Sequence, residues 1–206
     1  MSITTEFLRH PVLTGAIAPS SRRLAAAMTA GLGLEHARTV VELGPGTGVF
    51  TEAILHRLRP GARLVAVELN ERLATPLRAR YGRGPVTVVH DSAEALASYV
   101  DNPVDVVVSG LPWAVLPAAQ RDRILDQVIA VLAPEGRFTT FAYGHAAWTP
   151  PARRFAASLR ERFAVVTRGP LIWPNLPPAL VHRAALPLAR EGRLTWTFDR
   201  PCVNRK

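Results

Sequence analysis

The chain has 206 residues, of which 48% are apolar and 20% are charged, a composition that excludes disorder and suits one α/β domain with a sizeable core. The formal net charge is +9, and every cation except Lys206 is arginine, which favours an anionic partner such as nucleic acid or an acidic membrane surface. Cys202 is the single cysteine, so an internal disulfide is excluded, and no Cys/His cluster has the spacing of a metal site. We therefore expect a single domain over residues 1–206, a reducing cytoplasmic setting and no metal.

The amino-terminal region does not resemble a targeting segment. No apolar stretch reaches the roughly 18 residues that span a bilayer. Residues 1–23 also lack a basic start followed by an unbroken apolar core, so we expect no signal peptide and a protein that begins near Met1.

Two short patterns precede the first predicted strand. Residues Ile3–Leu13 form an amphipathic segment. Ser20 or Ser21 can cap a helix that carries Leu24, Ala27 and Met28 on one side. We expect residues 1–32 to form a helical lid or a membrane-contacting segment.

Apolar runs alternate with helical patterns along the rest of the chain, which predicts repeated β-α units and a doubly wound, mostly parallel, Rossmann-like sheet of seven strands. The runs are rich in Val and Leu, and several lack in/out alternation, as is typical of strands buried on both faces. The last two runs are joined by Pro174–Pro178, which is too short for a helical crossover and predicts an antiparallel hairpin at the end of the sheet. The predicted strands are Thr39–Leu43, Arg63–Glu68, Val86–His90, Val104–Ser109, Phe138–Tyr143, Ala164–Leu171 and Ala179–Leu188.

Two apolar stripes at helical spacing predict helices between these strands. The first stripe follows the first strand, and the second follows Pro117, a plausible first-turn proline. Residues 194–206 form a tail with no assigned structure. The stripes consist of Phe50, Ile54, Leu55 and Leu58, and of Ile124, Leu125, Val128, Ile129 and Leu132.

A glycine-rich segment, "VELGPGTGVF", covers residues 41–50 at the end of the first strand, where open α/β sheets bind ligands. Gly44, Gly46 and Gly48 allow a sharp turn and a close approach of the backbone to a ligand. The chain has no Gly-Lys-Ser/Thr triplet, which excludes a P-loop, and the spacing GxGxG is tighter than the dinucleotide fingerprint GxGxxG. Because Glu42 precedes the first glycine by two residues, the segment resembles the first motif of class I S-adenosylmethionine (SAM) methyltransferases.

The ends of the second and third strands support a nucleoside ligand. Glu68 follows an apolar run and can accept hydrogen bonds from both ribose hydroxyls. Asp91 can accept from an adenine amino group, and it is also placed to cap a helix. The resemblance implies SAM as cofactor, S-adenosylhomocysteine as product, and Glu42 near the methionine ammonium. The predicted cofactor-binding residues are Glu42, Gly44, Pro45, Gly46, Thr47, Gly48, Glu68, Leu69, Asp91, Ser92, Ala93 and Ser109.

The fourth strand ends in "SGLPW", residues 109–113, a turn that can hold a nucleophilic nitrogen. Methyl transfer needs a free nitrogen lone pair aimed at the sulfonium methyl group. The Ser109 hydroxyl and main-chain oxygens near Gly110 and Leu111 can accept the amine's N–H bonds, while Pro112 fixes the local backbone. Trp113 can stack on a base or bind a cationic amine, although a packing role is the alternative. The predicted catalytic residues are Ser109, Gly110, Leu111, Pro112, Trp113 and Tyr143.

Two methyltransferase families carry a similar turn. The ribosomal RNA adenine dimethylases have Asn-Leu/Ile-Pro-Tyr/Phe, and the bacterial phospholipid N-methyltransferases have Ser-Gly-Leu-Pro. The sequence "VVVSGLPW" resembles the second, although Trp113 departs from the expected residue. "TGAIAPSSRRLA" at 14–25 and "FAYG" at 141–144 also resemble the phospholipid family, and the resemblance runs from about Phe7 to Leu186. It implies methylation of phosphatidylethanolamine or its partly methylated forms.

A lipid substrate requires contact with a membrane. We expect Phe7, Leu8, Arg9, Arg22 and Arg23 to contribute to substrate or membrane binding, as a peripheral protein on the inner face of the cell membrane. Arg168 and Arg183 are further candidates for the lipid phosphate.

Two other acceptors remain open. The alternatives are an rRNA adenine N6-methyltransferase and a small-molecule amine N-methyltransferase. RNA is less expected, because the RNA dimethylases usually add a C-terminal helical domain and only the tail 194–206 follows here. The sequence does not predict an oligomeric state.

Overall fold

Seven strands form one sheet in the order β3-β2-β1-β4-β5-β7-β6 in a computed structural model that describes residues 20–101 and 103–188. Strands β1 to β5 are parallel, and β7 runs antiparallel to both β5 and β6. This confirms the predicted doubly wound sheet and its terminal hairpin. The strands are β1 Thr39–Leu43, β2 Arg63–Glu68, β3 Val86–His90, β4 Val104–Ser109, β5 Leu132–Tyr143, β6 Phe163–Ile172 and β7 Ala179–Pro187.

The helices connect the strands and cover both faces of the sheet. Helix α1 begins after Ser21, whose Oγ accepts the N–H of Leu24 at 3.1 Å, so Ser21 is the cap of the two predicted candidates, Ser20 and Ser21. The sequence patterns did not predict α3, because the helix is polar and contains Pro76. The helices are α1 Arg22–Thr29, α2 Val49–Leu55, α3 Glu71–Tyr81, a 3₁₀ helix Ala93–Tyr99, α4 Ala118–Val131 and α5 Pro150–Arg160.

Strand β5 begins six residues before the predicted Phe138, at Leu132. Val104 of β4 pairs with Leu132, whereas Val106 pairs with Arg137, so the register shifts within this pair. Leu132 continues the apolar stripe of α4 in the sequence, but it lies in the strand because α4 ends at Val131. A periodic pattern cannot locate such a boundary when the residue is buried in both alternatives.

Each face of the sheet carries one apolar cluster. Val40 of β1 packs on the face covered by α1 and α2, whereas Val41 and Leu43 pack on the face covered by α4 and α5. Both faces are buried, which explains why the central strands are continuous apolar runs. None of the helices in the described ranges combines the length and apolar character needed to cross a bilayer.

Candidate active site

A cavity of about 330 Å³ opens at the carboxyl ends of β1 to β4, where the strand order reverses between β1 and β4. This is the switch point at which open α/β sheets bind ligands. Nine of the predicted cofactor residues line it: Gly44, Pro45, Gly46, Thr47, Glu68, Leu69, Asp91, Ser92 and Ala93.

The glycine-rich turn forms one wall of the cavity, and it requires glycine at specific points. Gly44 has φ of +67°, and a Cβ there would lie 3.0 Å from Leu111. A Cβ on Gly110 would lie 2.6 Å from the carbonyl oxygen of Gly44. The turns after β1 and β4 are therefore in direct backbone contact. Gly48 does not line the cavity; it precedes α2, and a Cβ there would contact Leu77 of α3 at 2.9 Å.

The carboxylate of Glu68 holds the glycine-rich turn in place from the end of β2. Its Oε2 accepts the N–H of Gly46 at 3.0 Å, and its Oε1 accepts the N–H of Asn70 at 2.9 Å. Burial raises its pKa, while these backbone N–H groups act in the opposite direction. Each carboxylate oxygen can accept a second hydrogen bond, so Glu68 can still accept from ligand hydroxyls.

Glu42 lies beneath the cavity rather than in its wall. Its side chain is fully buried, and Oε2 accepts the Thr51 hydroxyl at 2.6 Å. Its Oε1 has no hydrogen-bond partner among the described residues. Burial raises its pKa to about 8. An unpaired buried carboxylate oxygen suits a cationic group of a ligand.

Asp91 lies in the cavity wall at the end of β3. It accepts a hydrogen bond from the Tyr99 hydroxyl and another, at 2.6 Å, from the N–H of Ser92, and both lower its pKa. The expectation that Asp91 caps a helix was wrong. Ser92 is the cap, since its Oγ accepts the N–H of Glu94 at 3.2 Å.

The SGLPW turn divides between the cavity and the protein core. Gly110, Leu111 and Pro112 line the cavity, and Trp113 does not. The Trp113 indole is 2% exposed, stacks on Phe155 at 4.9 Å and belongs to the core cluster under α4 and α5. The prediction that Trp113 stacks on a base or binds an amine was therefore wrong, because the indole is buried against the core side chains of Phe155 and Phe138.

Ser109 is the buried partner of this tryptophan. Its Oγ accepts the Trp113 indole N–H at 3.1 Å and the N–H of Leu111 at 3.3 Å. The side chain is fully buried and outside the cavity wall, so the predicted contacts of Ser109 with amine and cofactor are also wrong for its hydroxyl. The Leu111 carbonyl accepts the N–H of Trp113 at 3.0 Å. The hydroxyl and this bond together hold the turn against the core.

Tyr143 lies beyond the cavity rather than in its wall. Its ring meets Phe141 edge-on at 5.4 Å and stacks on His145 at 5.9 Å. Phe141 lines the cavity and was not predicted, although it lies two residues from Tyr143 on the same strand face. Other lining residues that the motifs did not reveal are Ser20, Val49, Phe50, Val67, Leu73, Leu116, Gln120 and Ile124.

The basic residues predicted to bind substrate or membrane lie in different environments. Arg22 and Arg23 are exposed at the start of α1, whereas Phe7, Leu8 and Arg9 lie outside the described residues. Arg183 donates to the Ala27 carbonyl at 2.8 Å and so supports the end of α1. Within the described ranges, no group of three or more His, Cys, Asp or Glu side chains is arranged to hold a metal.

These residues fit SAM. Glu68 and Asp91 offer acceptors to a nucleoside, and the glycine-rich turn leaves room for the ligand. The unpaired Oε1 of Glu42, beneath the cavity, is an acceptor for a ligand ammonium group, whose positive charge favours the ionised carboxylate.

Comparison with known proteins agrees with this geometry. Residues 40–136 match the family described as "Methyltransferase domain". The ornithine lipid N-methyltransferase of Singulisphaera acidiphila is 34% identical over 138 residues, which cover 65% of this chain and 72% of that protein. The ribosomal RNA small subunit methyltransferase A of Acidobacterium capsulatum is 49% identical over 61 residues, only 20% of its length.

Solved structures share the fold. The O-methyltransferase TomG from Streptomyces achromogenes, in complex with SAM, has a TM-score of 0.66 at 17% identity and covers 90% of both chains. The N-methyltransferase NodS from Bradyrhizobium japonicum, in complex with S-adenosylhomocysteine, has a TM-score of 0.62 at 17% identity and covers 81% of this chain and 87% of NodS. The chain therefore belongs to the class I SAM-dependent methyltransferases and is an enzyme with SAM as its cofactor.

Proposed function

We propose that this enzyme transfers a methyl group from SAM to the headgroup amine of a membrane lipid at the inner face of the cell membrane. Phosphatidylethanolamine and its partly methylated forms are the acceptors that the turn sequence suggests. The observation that carries the proposal is that Gly110, Leu111 and Pro112 line the cavity in contact with the glycine-rich turn. The ornithine lipid N-methyltransferase relative supports a lipid amine as the class of acceptor.

The turn after β4 positions the amine. Bound SAM supplies an electrophilic methyl group on a sulfonium. The amine nitrogen would form the new N–C bond with its lone pair, and the C–S electron pair would return to sulfur. Main-chain oxygens of the turn accept the amine's N–H bonds, and Pro112 limits the backbone so that these oxygens keep one direction.

The walls of the cavity favour a neutral amine. Phe50, Leu111, Pro112 and Phe141 are apolar and exclude water from the reacting nitrogen. The ionisable side chains among the lining residues are the carboxylates of Glu68 and Asp91, which we assign to the cofactor. The amine therefore loses its proton to water before it enters, and the transfer rate should rise with pH until the free amine predominates.

Incubation with methyl-labelled SAM tests the proposal with three acceptors: vesicles containing phosphatidylethanolamine, vesicles containing ornithine lipid, and ribosomal RNA. We expect label in the organic phase, and the two vesicle types identify the headgroup. Glu68→Gln should abolish labelling, because an amide cannot accept at both oxygen positions. Glu71→Gln, at a half-exposed carboxylate on α3, is the matched control and should retain it. Label in RNA alone would overturn the proposal.

An RNA adenine acceptor is the second candidate, favoured by short matches such as the 49% identity over 61 residues. Those matches cover a small part of each RNA enzyme. The burial of Trp113 removes the aromatic platform that the turn offered to a base. This counts against RNA, and the labelling experiment decides between the two acceptors.

A further inference from the structure

The tip of the β6–β7 hairpin and the loop after β5 expose large apolar side chains. Leu176 is 76% exposed, Trp173 71% and Trp148 68%, and these are the most exposed large apolar side chains among the described residues. The proposed methyl transfer uses none of them. Two tryptophans and a leucine held in water are unfavourable unless another surface covers them.

Buried polar contacts hold the hairpin tip in this conformation. Asn175, between the two exposed residues, is 2% exposed; its Oδ1 accepts the N–H of Ser21 at 2.9 Å and its Nδ2 donates to the Pro177 carbonyl at 2.7 Å. The loop after β5 is attached to the same tip, because the N–H of Gly144 donates to the Pro178 carbonyl at 2.6 Å. Since Asn175 is directed into the protein, Trp173 and Leu176 remain exposed on either side of it.

This tip lies next to the mouth of the cavity. Tyr143, the last residue of β5, pairs with Ala179, which also pairs with Ile172, so the hairpin tip is at the carboxyl edge of β5. Ser20 lines the cavity, and its neighbour Ser21 is bonded to the tip. A surface that covers the tip would therefore face the entrance to the site.

Cations surround the exposed apolar side chains. Arg22 and Arg23 are exposed directly after Ser21. The Arg168 guanidinium lies over the Trp148 ring, 5.3 Å from its centre. Arginines beside exposed tryptophans complement the anionic headgroups and the interfacial region of a bilayer.

We propose that Trp148, Trp173 and Leu176 form a docking surface that inserts into the interfacial region of an anionic lipid bilayer, with Arg22, Arg23 and Arg168 against the headgroups. The inference deepens the proposed function and rests on it, because it places the cavity mouth against the membrane that holds the lipid amine. A bilayer fits better than RNA, because the most exposed side chain is aliphatic and a leucine offers no stacking face to a base.

Sedimentation of the full chain with vesicles that contain no aminolipid tests the docking surface without turnover. The vesicles are phosphatidylcholine alone or phosphatidylcholine with phosphatidylglycerol. The double variant Trp173→Ala/Leu176→Ala should lower the partition coefficient about tenfold or more on anionic vesicles. Val165→Ala is the matched control, since Val165 is 44% exposed near the opposite end of the same hairpin, and its binding should equal that of the wild type.

A charge variant separates the two parts of the surface. Arg22→Glu/Arg23→Glu should remove the preference for vesicles that contain phosphatidylglycerol. The variant should still form α1, because acidic residues in the first turn interact favourably with the helix dipole. If Trp173→Ala/Leu176→Ala bound anionic vesicles as well as the wild type does, the proposal would be overturned. The proposal would also be overturned if the wild type self-associated without lipid and Trp173→Ala/Leu176→Ala did not. That result would assign the surface to a second copy of the chain. Loss of RNA binding with unchanged vesicle binding would assign it to nucleic acid and also overturn it.

Transfer of label to aminolipid in detergent micelles, measured separately on the wild type, distinguishes the two proposals. If the wild type labels aminolipid but Trp173→Ala/Leu176→Ala binds vesicles as the wild type does, only the docking surface is refuted. A wild type that labels no lipid refutes the proposed acceptor, whatever the vesicles show.

Discussion

Trp113 shows how one residue in a motif can serve the core instead of the substrate. Its indole packs between core side chains and donates to Ser109, while its neighbours Gly110, Leu111 and Pro112 line the cavity. The turn therefore gains its fixed position from a buried aromatic. In the function we propose, the amine contacts are left to the main chain.

Substitution of Trp113 tests this assignment. Trp113→Ala should destabilise the protein by about 3–5 kcal/mol, because it leaves a core cavity. Trp113→Phe keeps a ring but removes the donor to Ser109, and should cost about 1–2 kcal/mol. Urea unfolding measures both. An alanine variant with unchanged stability and lost methyl transfer would restore the indole to the substrate site.

Glu42 should make the stability of the cofactor-free enzyme depend on pH. Burial raises its pKa from 4.5 to about 8, so between these values the folded protein holds a proton that the unfolded chain has lost. Stability therefore falls as pH rises through this range. In Glu42→Gln this decrease of stability with pH should be absent. The difference in melting temperature, variant minus wild type, should therefore increase as the pH rises towards 8.5.

The same substitution should weaken SAM binding, since an amide cannot neutralise an ammonium group. Calorimetric titration with SAM measures this effect separately from folding. Equal SAM affinity for the variant and the wild type would remove Glu42 from the cofactor site.

At the scale of elements, the site depends on the contact between two turns that are far apart in the sequence. Gly110→Ala would place a Cβ 2.6 Å from the Gly44 carbonyl oxygen, and neither backbone can move without displacing a cavity wall. We expect about a tenfold or larger loss of SAM affinity by calorimetry. Gly84→Ala is the control, because its Cβ would make an ordinary contact at 3.5 Å. Equal affinities for both variants would show that the contact is not required.

Most elements were predictable, and the start of β5 and helix α3 were missed for different physical reasons. Strands β1, β2 and β4 are buried on both faces and produce continuous apolar runs, so they were predicted with their observed bounds. The edge strand β3 was also predicted with its observed bounds, although only Val86 in it is buried. Helix α3 was not predicted, because it buries only Ala74 and Leu77 and carries an internal proline. A helix that buries so few side chains lacks the apolar stripe from which a helix is predicted.

At the scale of the whole molecule, His182 should make the fold sensitive to acid. This β7 side chain is 9% exposed, and burial, with the charges of Arg168 and Arg160, lowers its pKa from 6.5 to about 4. The unfolded chain therefore binds a proton that the folded protein does not between these values, and stability falls as pH decreases from 6.5 to 4. Denaturant unfolding across this range should show a smaller loss for His182→Gln.

His36→Gln is the control for this measurement, because the His36 side chain is 86% exposed. It should follow the wild-type profile. A His182→Gln profile that coincides with that of the wild type would show that other groups cause the loss in acid.

The sequence by itself determined the order of the strands along the chain and the edge of the sheet at which Glu68 and Asp91 line the candidate site, because these follow from local patterns and from the direction of parallel strands. Only the tertiary structure decided the orientation of the SGLPW turn. The sequence SGLPW is compatible both with an indole that faces a substrate and with an indole that is buried in the core. Phe155, contributed by α5 from much later in the chain, provides the packing partner that makes burial favourable. Likewise, only the fold brings the hairpin tip beside Ser21 and so next to the mouth of the cavity.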